Sequence, residues 1–189
     1  MTLDDFLNGL AARTPAPGGG GAAAVTGAMA AGLVAMAARF SATQLPGALD
    51  LAEQADELRR RVADLVDMDA RAYAAVLDAR RRPGGRSADL REALRGAAAV
   101  PLEIAAIGAR VAQMAARVAA AGNPNLRGDA VTGAVLAAAS ARSAACLVDI
   151  NVAWGGLEPS LSQRAAQAVA EAGDAAERTL STERAGPER

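Results

Sequence analysis

Apolar positions recur with helical spacing along nearly the whole chain, and proline, glycine and asparagine breaks divide it into six segments. In the first, Leu3, Phe6, Leu7 and Leu10 share one face, and Thr2 and Asp5 make a capping-box pair. It ends near Arg13, before Pro15 and Pro17. The second, from about Gly20 to Ala42, is apolar all round. The third, from about Ala48 to Arg80, carries a seam of Leu51, Ala55, Leu58, Val62, Leu65 and Val76, and Asp69 falls within that seam. A carboxylate in such a place is costly unless it is paired or functional. The fourth runs from Ser87 to about Ala121; Pro101 inside it cannot bond the Ala97 carbonyl, which predicts a kink. The fifth spans Asp129 to about Asn151. The sixth opens at Ser160 and is amphipathic through Leu161, Ala165, Ala168, Val169 and Ala172. From about residue 181 the chain turns polar, and its end is expected to fray. No segment alternates with the period of a strand. The expected fold is all-α: one domain over residues 1–189, a bundle of about six helices.

Composition says how such a bundle must pack. Hydrophobic residues make up 52% of the chain but aromatics only 2%, so the core must come from close helix approach rather than bulky side chains. In the second segment Gly20, Ala24, Ala28 and Gly32 form one flat stripe, and Gly27, Ala31 and Ala35 a second. On this pattern, leucine at Gly32 is expected to disrupt the fold. The uncharged run from Thr14 to Ala38 is long enough to span a membrane. It is alanine and glycine rather than leucine and isoleucine, so it reads as a helix buried inside protein on all sides, with no membrane partner.

Net charge is −1, from 20 basic residues, all arginine, against 21 acidic ones, which gives no basic footprint for nucleic acid. The absence of histidine removes His-based metal sites and a His general base, and no metal is expected. Cys146 is the single cysteine, and the acidic start Met1 to Phe6 is unlike a signal peptide, so the expected location is cytoplasmic.

Three clusters can carry chemistry. Pro15 and Pro17 stiffen the entry to Gly18, Gly19, Gly20 and Gly21, which sit where the second helix begins. Helix starts expose unpaired N–H groups that suit anionic or polar ligands, although a proline-glycine hinge before a buried helix is also common. Asp69 and Tyr73, four residues apart, share a face of the third helix, whereas Asp67 and Arg71 read as a surface pair. Asn123, Asn125, Arg127 and Asp129 crowd into seven residues. They read equally as helix caps or as a hydrogen-bonding site with a carboxylate base.

In order, these residues resemble the cyclodeaminase/cyclohydrolase family of tetrahydrofolate enzymes. Pro17-Gly18-Gly19-Gly20 with Ala23-Ala24 is similar to its P-G-G-G-S-x-A-A segment, and Leu65 to Tyr73 to its L-x-x-x-D-A-x-A-F helix. Pro83 matches a proline after that helix, and Ala98 to Leu102 an A-x-x-V-P-L kink. Gly122-Asn123-Pro124-Asn125 with Asp129 resembles G-N-P-N…S-D, and Asn151 the end of an I-N motif. The sequence departs at Gly21 and Gly128, where serines are usual, at Leu147, where an asparagine is, and over Ser41 to Pro46, where the family is basic.

The resemblance implies a homodimer with long antiparallel helices and a folate site near the glycine turn and the Asn123–Asp129 loop. It implies hydrolysis of 5,10-methenyltetrahydrofolate to 10-formyltetrahydrofolate, without a cofactor. The absence of a formiminotransferase segment from these residues favours that reaction over formiminotetrahydrofolate cyclodeamination. A non-catalytic folate- or ligand-binding helical dimer is the further alternative. On the resemblance, Asp129 activates a water and Asp69 passes a proton to the leaving ring nitrogen. Asn123 and Asn125 hold pterin or formyl groups, Arg127 pairs with the glutamate tail, and Gly18 to Gly21 and Asn151 complete the substrate site.

Overall fold

A computed structural model describes residues 2–82 and 87–184. Its elements are α1 (Leu3–Ala11), α2 (Gly19–Arg39), α3 (Ala48–Arg81), α4 (Ser87–Ala121), a short 3₁₀ turn (Pro124–Leu126), α5 (Arg127–Gly155) and α6 (Ser160–Arg184). There is no strand among the described residues. The capping box forms as expected: Thr2 Oγ1 accepts from the Asp5 N–H at 3.1 Å, and the Thr2 N–H donates to Asp5 Oδ2 at 2.8 Å. Helix α5 begins two residues before the expected Asp129 and runs four beyond Asn151, ending at the left-handed Gly156. Pro83, matched to a family proline, lies outside the described residues, as do 185–189.

Long helices consecutive in the chain run antiparallel. Arg61 of α3 forks onto Glu103 of α4 at 2.6 and 2.8 Å, while Val76 meets Leu94 further along the same pair. Gly108 of α4 lies against Ala137 and Ala141 of α5, and Asn151 of α5 bonds Ala97 of α4. Close helix contacts are glycine-dependent at Gly27, which the second stripe contains, and at Gly108, outside both stripes, but not at Gly32. A Cβ at Gly108 would stand 2.8 Å from the Ala137 carbonyl oxygen, and one at Gly27 would stand 2.9 Å from Ser140 Oγ. At Gly32 it would meet only the Arg59 stem, at 3.6 Å, an ordinary contact. Gly32 faces a flexible arginine rather than a helix backbone, so the expected disruption by leucine there is not supported by the packing.

Stretches of α2, α4 and α5 are long and apolar enough, by length and composition, to cross a membrane. In the bundle they pack on one another, and α2 is buried on only one side: 56% of its most apolar window is covered. Ala24, Ala30, Ala31, Val34 and Ala38 are fully enclosed. Met29 is half exposed and Phe40 at its C-terminal end more so, with Val25, Leu33 and Met36 partly open between. The chain alone leaves an uncharged face running the length of α2, contrary to the expectation of burial on all sides.

Candidate active site

The glycine turn and Asp69 meet. Gly18 is the N-cap of α2 and supplies no side-chain cap. The Asp69 carboxylate, arriving from α3, takes that place against the backbone of the first turn. A Cβ on Gly20 would fall 2.0 Å from Asp69 Oδ1, so the carboxylate lies where any side chain at residue 20 would be. Burial pushes the Asp69 carboxyl above its ordinary value of 3.8, and the Gly21 N–H facing it pulls weakly the other way. A half-buried acid at a helix N-terminus satisfies orphan N–H groups. Here it also opens into a pocket.

That pocket has a volume of about 320 Å³ and is lined by Gly18, Gly19, Gly20, Asp69, Asn151, Leu147 and Tyr73, with Pro15, Ala97, Ile150 and Trp154 around them. Asn151 is held there by a chain of causes. Pro101 lacks the N–H that would bond the Ala97 carbonyl within α4. Asn151 Nδ2 replaces it, donating to Ala97 O at 3.0 Å and to Leu147 O at 2.9 Å. Both amide hydrogens are thereby used, and Oδ1 is left as an acceptor.

The other expected site residues lie elsewhere. Asn123 caps the 3₁₀ turn: its Oδ1 accepts from the Asn125 N–H at 3.0 Å, and its Nδ2 donates to Phe40 O at 3.2 Å. Its N–H donates to buried Ser41 Oγ at 2.9 Å, so the departing segment after α2 has a structural use. Asn125 is exposed, and Asp129 sits half-buried in the first turn of α5. Arg127 turns into a cleft between α4 and α6 with its Nη2 buried and unpartnered among the described residues. Twenty-two residues of α5 separate Asp129 from Asn151, about 33 Å at 1.5 Å per residue. One chain therefore brings Gly18, Gly19, Gly20, Asp69 and Asn151 together, places Gly21 beneath them, and leaves Asn123, Asn125, Arg127 and Asp129 at the far end of the bundle.

Residues 2–156 match the family model described as formiminotransferase-cyclodeaminase. The chain belongs to the formiminotransferase-cyclodeaminase family. It is 36% identical over 163 residues to methenyltetrahydrofolate cyclohydrolase of Methylorubrum extorquens, covering 79% of this chain and 78% of that one. It is 34% identical to mouse formimidoyltransferase-cyclodeaminase over 121 residues, 55% of this chain but 22% of that longer protein. The crystal structure of formiminotetrahydrofolate cyclodeaminase from Thermotoga maritima superposes with a TM-score of 0.84 at 27% identity, covering 95% of this chain and 93% of the other. Against the family's pattern, Leu147 lines the pocket where an amide is usual, and Gly21 has room for a side chain, its nearest neighbour being Pro17 Cβ at 3.5 Å.

The pocket's two aromatic residues, Tyr73 and Trp154, are not among the expected site residues. Tyr73 shares a helix face with Asp69 and belongs to that cluster, whereas Trp154 belongs to none of the three clusters. Both line the pocket, and both are exposed, at 40% and 58%. Their signal was scarcity: they are the only Tyr and the only Trp in the chain.

Proposed function

We propose that this protein hydrolyses 5,10-methenyltetrahydrofolate to 10-formyltetrahydrofolate in the cytoplasm, as a homodimer without a further cofactor. The observation that carries the reading is the Asp69 carboxyl, set over the glycine turn inside a pocket and shifted upward by burial. The methenyl carbon is already a cationic amidinium carbon, so the reaction needs an oriented water and a proton relay. Water oxygen adds to that carbon while a carboxylate takes its proton. The C–N5 bond then breaks as the carboxyl gives that proton to N5, the adduct's remaining O–H proton leaves to solvent as the C=O forms, and the formyl group stays on N10. A carboxyl whose pKa burial raises above the ordinary carboxylate value can serve both halves, as base and then as acid. The amide Oδ1 of Asn151 suits a pterin N–H donor.

The Asn123–Asp129 loop joins this site through a second copy. Met29 is the midpoint of α2 and is half exposed. A two-fold axis beside Met29 lays the uncharged faces of two α2 helices against each other, antiparallel. It places the partner's Phe40 end, to which the Asn123 loop is bonded, beside the glycine turn. Asn125 and Asp129 are then available to the shared site, with Asp129 orienting the water, while Asn123 fixes the loop.

Cyclodeamination is the second reading. The match to a solved formiminotetrahydrofolate cyclodeaminase favours it, as does a carboxyl able to protonate departing ammonia. Turnover of methenyl- and formimino-tetrahydrofolate, assayed side by side with the Asp69→Asn variant, separates the two. Hydrolysis no faster than in buffer sinks the first reading.

A further inference from the structure

The pocket is too small for a whole folate. At about 320 Å³ it stands at the low end of the roughly 300–1,000 Å³ of sites that enclose drug-sized ligands, enough for the reacting bicyclic head. The aryl-glutamate remainder must leave over the rim, and the rim has one distinctive feature. Trp154 lines the pocket and also a second cavity of about 470 Å³, shared with Leu90, Arg91 and Gly156. Among the described residues, Trp154 is the one lining residue the two cavities have in common. The Arg80 guanidinium lies over that ring, 4.8 Å from the centroid, and has no carboxylate partner among the described residues. Tyr73, about two turns before Arg80 on α3, also lines the pocket.

Resting on the folate reading above, we infer that Trp154 and Arg80 clamp the substrate's tail: the aminobenzoyl ring stacks on Trp154, and a glutamate carboxylate pairs with Arg80 as the tail passes into the second cavity. Three observations converge on this. An apolar ring of this size is costly to leave 58% exposed unless something covers it. The cation above it has no carboxylate partner among the described residues and suits one. The second cavity continues from the same ring and carries Arg91. That arginine donates to the Gly156 carbonyl at 2.8 Å and lies 3.9 Å from Glu158, so it is already engaged, and the pairing role falls to Arg80.

The test compares two methenyl substrates, one complete and one lacking the glutamate, on wild type, Trp154→Ala and Arg80→Gln. Loss of stacking should raise KM for the complete substrate about two- to tenfold with kcat little changed. Arg80→Gln should raise KM for the complete substrate alone. Trp154 is the only tryptophan, so its fluorescence should change when either substrate binds and be abolished as a reporter in Trp154→Ala. Equal KM effects on both substrates in Arg80→Gln, or turnover with no change in fluorescence or KM, overturns the clamp and leaves the folate reading standing. If neither methenyl nor formimino compounds bind or react, the folate reading fails, and the clamp with it.

Discussion

Asp69→Asn and Asp129→Asn, made in separately tagged chains and co-expressed, test whether the site is shared. The two carboxylates stand at opposite ends of the bundle. Asp69 lies at the head of α2, and Asp129 opens α5, about 33 Å along that helix from Asn151 in the pocket. No single chain lets both reach one carbon. If two copies pair across α2, each homodimer of one variant has two damaged sites, and each should lose roughly 10²- to 10⁴-fold as acid–base partners do. A heterodimer differs: one site carries both substitutions and the other neither. Random pairing makes about half the dimers mixed, and half of their sites are intact, so roughly a quarter of wild-type activity should return. Heterodimers isolated through both tags should show about half the wild-type rate per dimer, with unchanged KM, since the surviving site is native. Loss of methenyl absorbance gives the rate, and native mass spectrometry counts the heterodimers. Heterodimers present in the expected proportion with no recovered activity would refute site sharing. Full activity in the Asp129→Asn homodimer would remove Asp129 from the chemistry altogether.

Glycine substitutions in the turn should have opposite effects: Gly20→Ala drives a methyl into the Asp69 carboxylate at 2.0 Å and should abolish activity. Gly21→Ala meets nothing closer than 3.5 Å and should stabilise α2 by up to about 1 kcal/mol, raising the melting temperature a few degrees. Asn151→Ala leaves the Ala97 carbonyl without a donor and should cost about 1–3 kcal/mol in denaturant melts; in a Pro101→Ala background, where α4 regains its own N–H, the cost should shrink, and an unchanged cost would dismiss the compensation. Because burial raises Asp69 above 3.8 in the folded chain, the native state keeps a proton that the unfolded chain has lost. Stability should therefore fall as pH rises through the window just above 3.8, and Asp69→Asn should flatten that slope. The acid limb of kcat/KM should have its midpoint above the same value, and a midpoint at the ordinary carboxylate position would count against Asp69 as base.

How far these features were legible in the sequence depends on what each residue needs in order to be understood. Asp69 could be read locally, because a carboxylate in an apolar seam needs an explanation whatever surrounds it. The helices could be read for the same reason: period and breaks are local. Gly32 and Gly108 could not be told apart that way. The stripe through Gly32 is as regular as the one through Gly27, yet Gly32 faces a pliable Arg59 stem, and Gly27 faces Ser140 and Val62. Pro101 was visible as a missing donor and Asn151 as the end of a motif. Their connection through Ala97 crosses 54 residues, so it exists only once α4 and α5 are packed. The Asn123–Asp129 loop is the sharpest case. Motif order puts it beside the glycine turn, but a 29-residue helix places its two ends about 43 Å apart. Residues that the resemblance assigns to one site are thus held apart within one chain by a rigid rod. Among arrangements of identical chains, an antiparallel pair about the middle of α2 restores the proximity without bending any helix. It also covers the uncharged face that one chain leaves open. The same pairing answers two independent deficits, and that is the argument for it.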